Sequence, residues 1–547
     1  MKNKNSNKKV DKEEIIKEKK IETNNTDVSI SNWKLLSLTG ILAILYYVFS
    51  TFSDGFYQHD EVANFIMSQS IWHDDFSSIF GANSKTGFRL LYALPALGGF
   101  TFLKIFNSIL AALTVYFSYK ILHKLNVQNG ILIFFLLGLQ PLWFMLSFRN
   151  YAELLVAFLI VLSVLQFYNK KYIVSALIIS YVAFTRQEYH VLSGLLFFVL
   201  LVKKEWIAAV LTGIFTALQN LIGYIQTGDL LYVYTQSKEF SERIKDEWPK
   251  QGFEHYFEMS NVIFGSVALT LFVAYIGIKI LKREKPNWLL SVPIIVVLLV
   301  NCAFNMQSIN FGPGNGGNLR YLITVSPLLA IIGVLAVQEI SNFNKKYLLL
   351  IFLIPLLILV GVYQSYEHNF VHLSEVRNWK PFLFSVLTVV LLILPLKLKQ
   401  YIIAFSLIIV FEGFTSITSR KIQPEEQTVE KAARWYKNHI TLTPPNEQLF
   451  TADSRVVCGH TLFYYYLNQN KNEFKNKAID SVTKEVTDSL KKGDLLIWES
   501  HYGYRPNLRP TSQPYEFYQN NPNFQRIQYY QSSDNRFTIV FFRKITD

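Results

Sequence analysis

Residues 33–52 read WKLLSLTGILAILYYVFSTF, and residues 56–62, just beyond, read FYQHDEV. The first stretch holds about 20 residues with a single lysine near its start, enough to cross a hydrocarbon core of roughly 30 Å. The second places His59, Asp60 and Glu61 at the mouth of that span. Ionisable groups at such a depth are costly, and they tend to be functional where they face a water-filled cavity. A membrane span ending in an acidic pair is therefore the feature from which the rest of the chain is read.

Working outward, the 547 residues are 51% hydrophobic and 15% aromatic, too apolar for an ordinary soluble enzyme. Apolar segments of near-span length recur down to about residue 417, which predicts a polytopic membrane protein. The formal charge of +13 is concentrated in lysines between spans and in the first 30 residues. Such lysines set membrane orientation, so the basic balance is no argument for a nucleic-acid partner. Cys302 and Cys458 are the two cysteines. They have neither zinc-ligand spacing nor an evident pairing, so no disulfide framework is expected. Residues 1–30 are rich in Lys, Glu and Asn and are expected to form a disordered cytoplasmic tail rather than a cleaved signal.

The positive-inside rule orders the spans. With the tail inside, span 33–52 leads out to a long outer loop, 53–100. Further spans follow at 101–122, 130–148, 153–168, 172–185, 190–202, 206–226, 258–281, 288–305, 321–338, 347–363, 381–396 and 401–417. The short lysine clusters, including Lys170-Lys171, Lys203-Lys204, Lys282-Arg283 and Lys345-Lys346, then share the side of the tail. The expectation is a mainly α, multi-pass protein of about 13 transmembrane helices in residues 31–417. From about 418 the composition turns polar, predicting a small α/β extracytoplasmic domain, 418–547. In it a helix is expected over Pro424–His439, helical structure over Lys484–Lys492, strands over Gln448–Ala452 and Asp494–Trp498, and a hairpin of Phe524–Tyr530 with Phe537–Phe542.

His59, Asp60, Glu61, Arg89, Arg149, Glu153, Arg186, Glu188 and Arg320 all fall at or near predicted outer span ends. Carboxylates and guanidinium groups gathered in one cavity suit transfer of a group away from phosphate. A carboxylate takes a proton from the acceptor hydroxyl while cations hold the departing phosphate. Arginine suits phosphate because its planar fork bonds bidentately and stays charged. Nucleotide sugars are cytosolic, so a catalytic end outside implies a lipid-linked donor. Asp74-Asp75 is a second acidic pair in the outer loop and the internal rival to Asp60. Gly312 to Gly317 lacks the Lys-Ser/Thr of a phosphate loop and is expected to be a loop or lid, and Tyr464-Tyr465-Tyr466 to be core or interfacial.

The acidic pair after the first span, the many spans and the external C-terminal domain together resemble the GT-C superfamily of polyprenyl-phosphate-sugar-dependent glycosyltransferases. His59-Asp60-Glu61 is similar to the acidic motif of its mannosyltransferase, protein O-mannosyltransferase and aminoarabinose transferase branches, with Gln58-His59 in place of His-Pro. Thr185-Arg186-Gln187-Glu188 is similar to the family's Arg-Pro-Glu segment. Leu319-Arg320-Tyr321-Leu322, followed by Ser326-Pro327, is similar to its Arg-Tyr-Leu…Pro entry to a late span. The resemblance implies an inverting transfer of a sugar, a hexose such as mannose, from polyprenyl phosphate to an extracytoplasmic glycan, lipid or protein, in a bacterial inner membrane. It implies Asp60 as base, with Glu61 supporting it or holding a divalent cation if one is used. Arg320 is then the leading phosphate ligand, with Arg89 and Arg186 behind it and His59 and Glu188 also on the substrate. No other cofactor and no fixed metal centre is expected. A polysaccharide polymerase or ligase and a lipid-linked glycan transporter are the competing functions.

Overall fold

The computed structural model describes residues 31–72, 79–80, 85–128, 130–244, 252–306, 317–363, 367–369, 372–374, 379–444, 447–467, 478–479, 482–506 and 509–546. Asp74-Asp75 and all of the glycine-rich loop but Gly317 lie outside the described residues. Most of the remainder up to Ser416 is helical. Among the described residues four helices are long and apolar enough to cross a membrane: Asn32–Phe52, Gly99–Lys124, Leu319–Ser341 and Leu398–Ser416. Six shorter apolar helices accompany them. Asn32–Phe52 is peripheral. It exposes Leu36, Ile41, Ile44, Leu45, Val48 and Phe52 on a surface that only lipid solvates well, while Leu35, Leu42 and Tyr46 face the bundle. Ala152–Tyr168 is central and buried on nearly every face.

Three of the expected spans are not continuous helices. The 130–148 segment divides into short pieces and restarts at Pro141, where the missing N–H costs nothing in a first turn. The 206–226 segment breaks at Gly213 into Trp206–Leu211 and Ile214–Thr227. The 258–281 segment breaks at Gly265, whose φ of +76° suits glycine. The break frees backbone donors that must be satisfied locally. Glu412, from the Leu398–Ser416 helix, reaches across to accept the Ser266 N–H at 2.6 Å and so caps the helix Ser266–Lys282.

The 53–100 segment, expected as a loop, folds into two helices, Asp60–Ser70 and Thr86–Leu97. Asp60 and Glu61 occupy the first turn of the former, where the helix dipole favours negative charge. Beyond residue 417 stands a five-stranded sheet in the order Ala478–Ile479, Val456–Cys458, Leu495–Glu499, Thr538–Lys544, Phe524–Gln531. The first three strands run parallel, and the last two form the antiparallel hairpin read from the sequence. The expected strand Gln448–Ala452 is a correction. That stretch is tied to the end of the helix Pro424–Leu442, with the Leu449 N–H bonded to His439 Nε2, and the β-branched pair Val456-Val457 enters the sheet instead.

One hydrophobic core joins this α/β unit to the 53–100 segment. Phe56 and Val62 are buried with Val429, Tyr436, Phe463 and Phe541. Phe56 meets Tyr465 edge-on at 5.4 Å between ring centroids. Gly55 makes the approach possible: a Cβ there would lie 2.2 Å from the Lys421 carbonyl oxygen. The chain entering Asp60 is thus clamped between the helical bundle and the C-terminal unit.

Candidate active site

The site is built on four helix ends. Asp60 begins one helix, Glu153 lies in the first turn of Ala152–Tyr168, Arg186 follows Tyr172–Thr185, and Arg320 opens Leu319–Val325. Arg320 donates from Nη2 to Asp60 at 2.7 Å and from Nε to Glu153 at 3.0 Å, and its Nη1 bonds Gln58. Arg186 reaches the same Glu153 oxygen at 2.6 Å and also pairs with Glu188. Each guanidinium lies over an aromatic face, Arg320 over Tyr151 at 4.5 Å and Arg186 over Tyr321 at 4.8 Å. Fixed arginines of this kind are preorganised donors for an incoming anion.

Lys85 completes the cationic wall, and sequence reasoning missed it. It precedes the helix Thr86–Leu97 with a φ of 49°, an uncommon conformation for a side-chain-bearing residue. Its Nζ bonds Asn64 at 2.9 Å, and it acts electrostatically on Asp60. Burial brings its ammonium down to about 8, with Asp60 opposing the fall. Asp60 itself is pushed up by its surroundings, but Arg320 and Lys85 outweigh this and hold it at about 2. It is a carboxylate at neutral pH, and its side chain remains half-exposed.

The other expected site residues are placed differently. Glu61 is turned into protein: it pairs with Arg149 at 2.8 Å and accepts the Tyr57 N–H at 2.6 Å. Arg149 also donates to the Gly55 carbonyl and Ser53 Oγ, so this carboxylate positions the Asp60 turn and is not open to a cation. Arg89, expected on phosphate, is buried. Its donors go to the Met67 carbonyl at 3.0 Å and Ser70 Oγ at 2.9 Å, which ties the two helices of the 53–100 segment together. His59, expected at substrate, faces the C-terminal unit instead. It stands with Glu425, His460 and His501, and burial together with His460 lowers its imidazole to about 3. All three partners come from beyond residue 417, where no sequence spacing linked them to His59. An apolar crevice beside Ser163 and Trp288 is lined by no ionisable group.

No protein-family model and no curated protein matches this chain. Among solved structures it is similar to ArnT from Cupriavidus metallidurans bound to undecaprenyl phosphate, with a TM-score of 0.56 and 11% identity over 94% of this chain and 98% of that one. The same protein in the apo state matches over the same shares with a TM-score of 0.51 and 13% identity. The chain therefore shares the fold of that protein over 94% of its length.

Proposed function

We propose that this protein is an integral-membrane glycosyltransferase that moves a sugar from a polyprenyl-phosphate donor to an acceptor hydroxyl on the extracytoplasmic side. The observation that carries the proposal is the meeting of Asp60 with Arg320, 260 positions away, at 2.7 Å in a wall that also holds Lys85 and Arg186. A half-exposed carboxylate beside fixed cations is what a direct displacement needs.

The donor phosphate competes with the Asp60 carboxylate for the Nη2 edge of Arg320, and Lys85 receives it from the other helix. Asp60, released toward the acceptor, takes the hydroxyl proton as the acceptor oxygen bonds the anomeric carbon. The bond from that carbon to the phosphate oxygen breaks, and its electron pair leaves with the phosphate. One displacement inverts the anomeric centre. Glu153 holds Arg320 and Arg186 in register, and Glu188 holds Arg186 from its other side. The topology that fits is the tail inside, about 13 membrane passes and the C-terminal unit outside. A hexose such as mannose is the proposed sugar.

The test is transfer from synthetic polyprenyl-phosphate hexoses by purified protein, wild type against Asp60→Asn. Loss of a general base lowers the rate by about 10²–10⁴, while elution as a single folded species is retained. Equal turnover by the two proteins would dismiss Asp60, and no transfer by the wild type from any polyprenyl-phosphate sugar would dismiss the donor class.

A further inference from the structure

The cluster around Glu425 brings three histidines from separate segments of the chain to one carboxylate. Glu425 lies in the first turn of Pro424–Leu442, and His460 precedes the helix Thr461–Tyr466. His501 sits in the turn after Leu495–Glu499, and His59 sits immediately before Asp60. Glu425 Oε1 is 2.7 Å from His501 Nδ1, 3.0 Å from His460 Nε2 and 3.8 Å from His59 Nδ1. Three imidazoles thus converge on a single carboxylate oxygen, and the four ligand atoms all lie within 4.8 Å of one another. His501 and His460 stand at hydrogen-bond distance from this oxygen, whereas His59 Nδ1 stands beyond it and bonds Tyr502 Oη at 3.1 Å. Imidazole is the commonest metal ligand, and three imidazole nitrogens and one carboxylate oxygen this close together can share one divalent cation.

We infer that His59, Glu425, His460 and His501 form a four-ligand site for a divalent transition metal, Zn²⁺ foremost, that fastens the C-terminal unit to the Asp60 turn. Imidazole nitrogen with one carboxylate oxygen is a donor set zinc accepts, and four protein ligands make a closed site of structural type. Bonds near 2.0–2.1 Å put tetrahedral ligands about 3.3 Å apart, so the cluster needs only a modest contraction. Binding through His460 Nε2 moves its proton to Nδ1 and gives up the 3.3 Å contact from the Leu462 N–H. Around the ligands, Glu499 accepts the backbone N–H groups of His501 and Tyr502, and the Tyr502 ring stacks on His501 at 4.0 Å. The His501 loop is therefore already held toward the centre. His59 is the N-cap of the helix that starts with Asp60, so a metal there would anchor the catalytic turn without touching substrate.

The experiment uses untagged full-length protein in detergent, without donor or acceptor, so it stands apart from the transferase assignment. Metal content is measured on the purified chain, the metal is stripped with chelator, and Co²⁺ is titrated back while the visible ligand-field bands are followed. The expected results are about one zinc per chain and tetrahedral Co²⁺ bands on titration. His501→Ala and Glu425→Gln should each weaken Co²⁺ binding at least about tenfold, and His123→Ala, exposed in a different region, should not. His501 is the more open ligand, so its variant reads the site even if His460→Ala fails to fold. A metal-free chain whose stripped form gives no Co²⁺ bands would overturn the inference, as would bands unchanged by both substitutions.

Discussion

Asp60 and Glu61 are adjacent in sequence and opposite in circumstance. Glu61 and its partner Arg149 are almost wholly enclosed, with side-chain exposures of 2% and 4%, and the pair is closed on all sides by Ser53, Gly55 and Tyr57. Asp60 pairs with an equally enclosed arginine but is itself 52% exposed. The first pair is sealed structure. The second is an ion pair with one open side, which a competing anion can reach. Because successive residues on a helix are turned about 100° apart, a two-residue acidic motif can divide its work in this way.

The sharpest way to break the comparison is to open the sealed pair. Arg149→Met leaves Glu61 buried without its counter-charge, a loss of about 3–5 kcal/mol. The expected outcome is a large drop in thermal unfolding temperature, or no folded protein at all. A variant as stable as wild type would mean that Glu61 is solvated after all, and the distinction between the two carboxylates would vanish.

Next comes the open pair. Arg320→Lys keeps the charge but cannot hold Asp60, Glu153 and Gln58 from one planar fork. Loss of one preorganised donor suggests a fall of about 10²–10³ in kcat/KM, with a smaller change in stability than Arg149→Met produces. Kinetics indistinguishable from wild type would take Arg320 out of the site. A milder effect is expected at Lys85→Met, where one cation is lost from the donor side. KM for the lipid-linked sugar should rise about tenfold, equivalent to roughly 1.4 kcal/mol, with kcat moved less. A change confined to kcat would place Lys85 at the reacting centre rather than on the donor.

Much of this architecture could be read in advance because it is written locally. The helix bounds at Tyr172–Thr185 and His190–Val202 follow runs of apolar residues closed by Arg186 and Lys203. The hairpin follows strand composition around Ser533-Asp534-Asn535. Asp60, Arg186 and Arg320 were legible as charges at span ends, and the fold brings them together through Glu153. What could not be read depends on contacts between distant segments. Glu412 capping a broken span, Lys85 facing Asp60 and three histidines meeting Glu425 have no signature in spacing. His59 illustrates the limit. Metal-ligand spacing within one stretch of chain is informative, but here the partners lie more than 360 positions away, and only the shared core of Phe56 and Val62 with the C-terminal unit brings them near.

The smallest expected effect separates positioning from binding most directly. Arg89 stood in the sequence as a cation in the right region, yet its Nε and Nη2 are engaged by the Met67 carbonyl and Ser70 Oγ at the C-terminal end of the Asp60 helix. Arg89→Lys preserves the charge and at best one of these two hydrogen bonds, so the loss is on the order of 1 kcal/mol in stability. Donor KM should stay within about twofold of wild type, because these donors are spent on the Asp60 helix and the positive charge is kept. If KM instead rises as far as it does in Lys85→Met while the unfolding temperature holds, Arg89 is reaching the phosphate when donor is bound. The helix pair of the 53–100 segment would then have to rearrange on binding, and the boundary drawn here between sealed and open charges would move to include it.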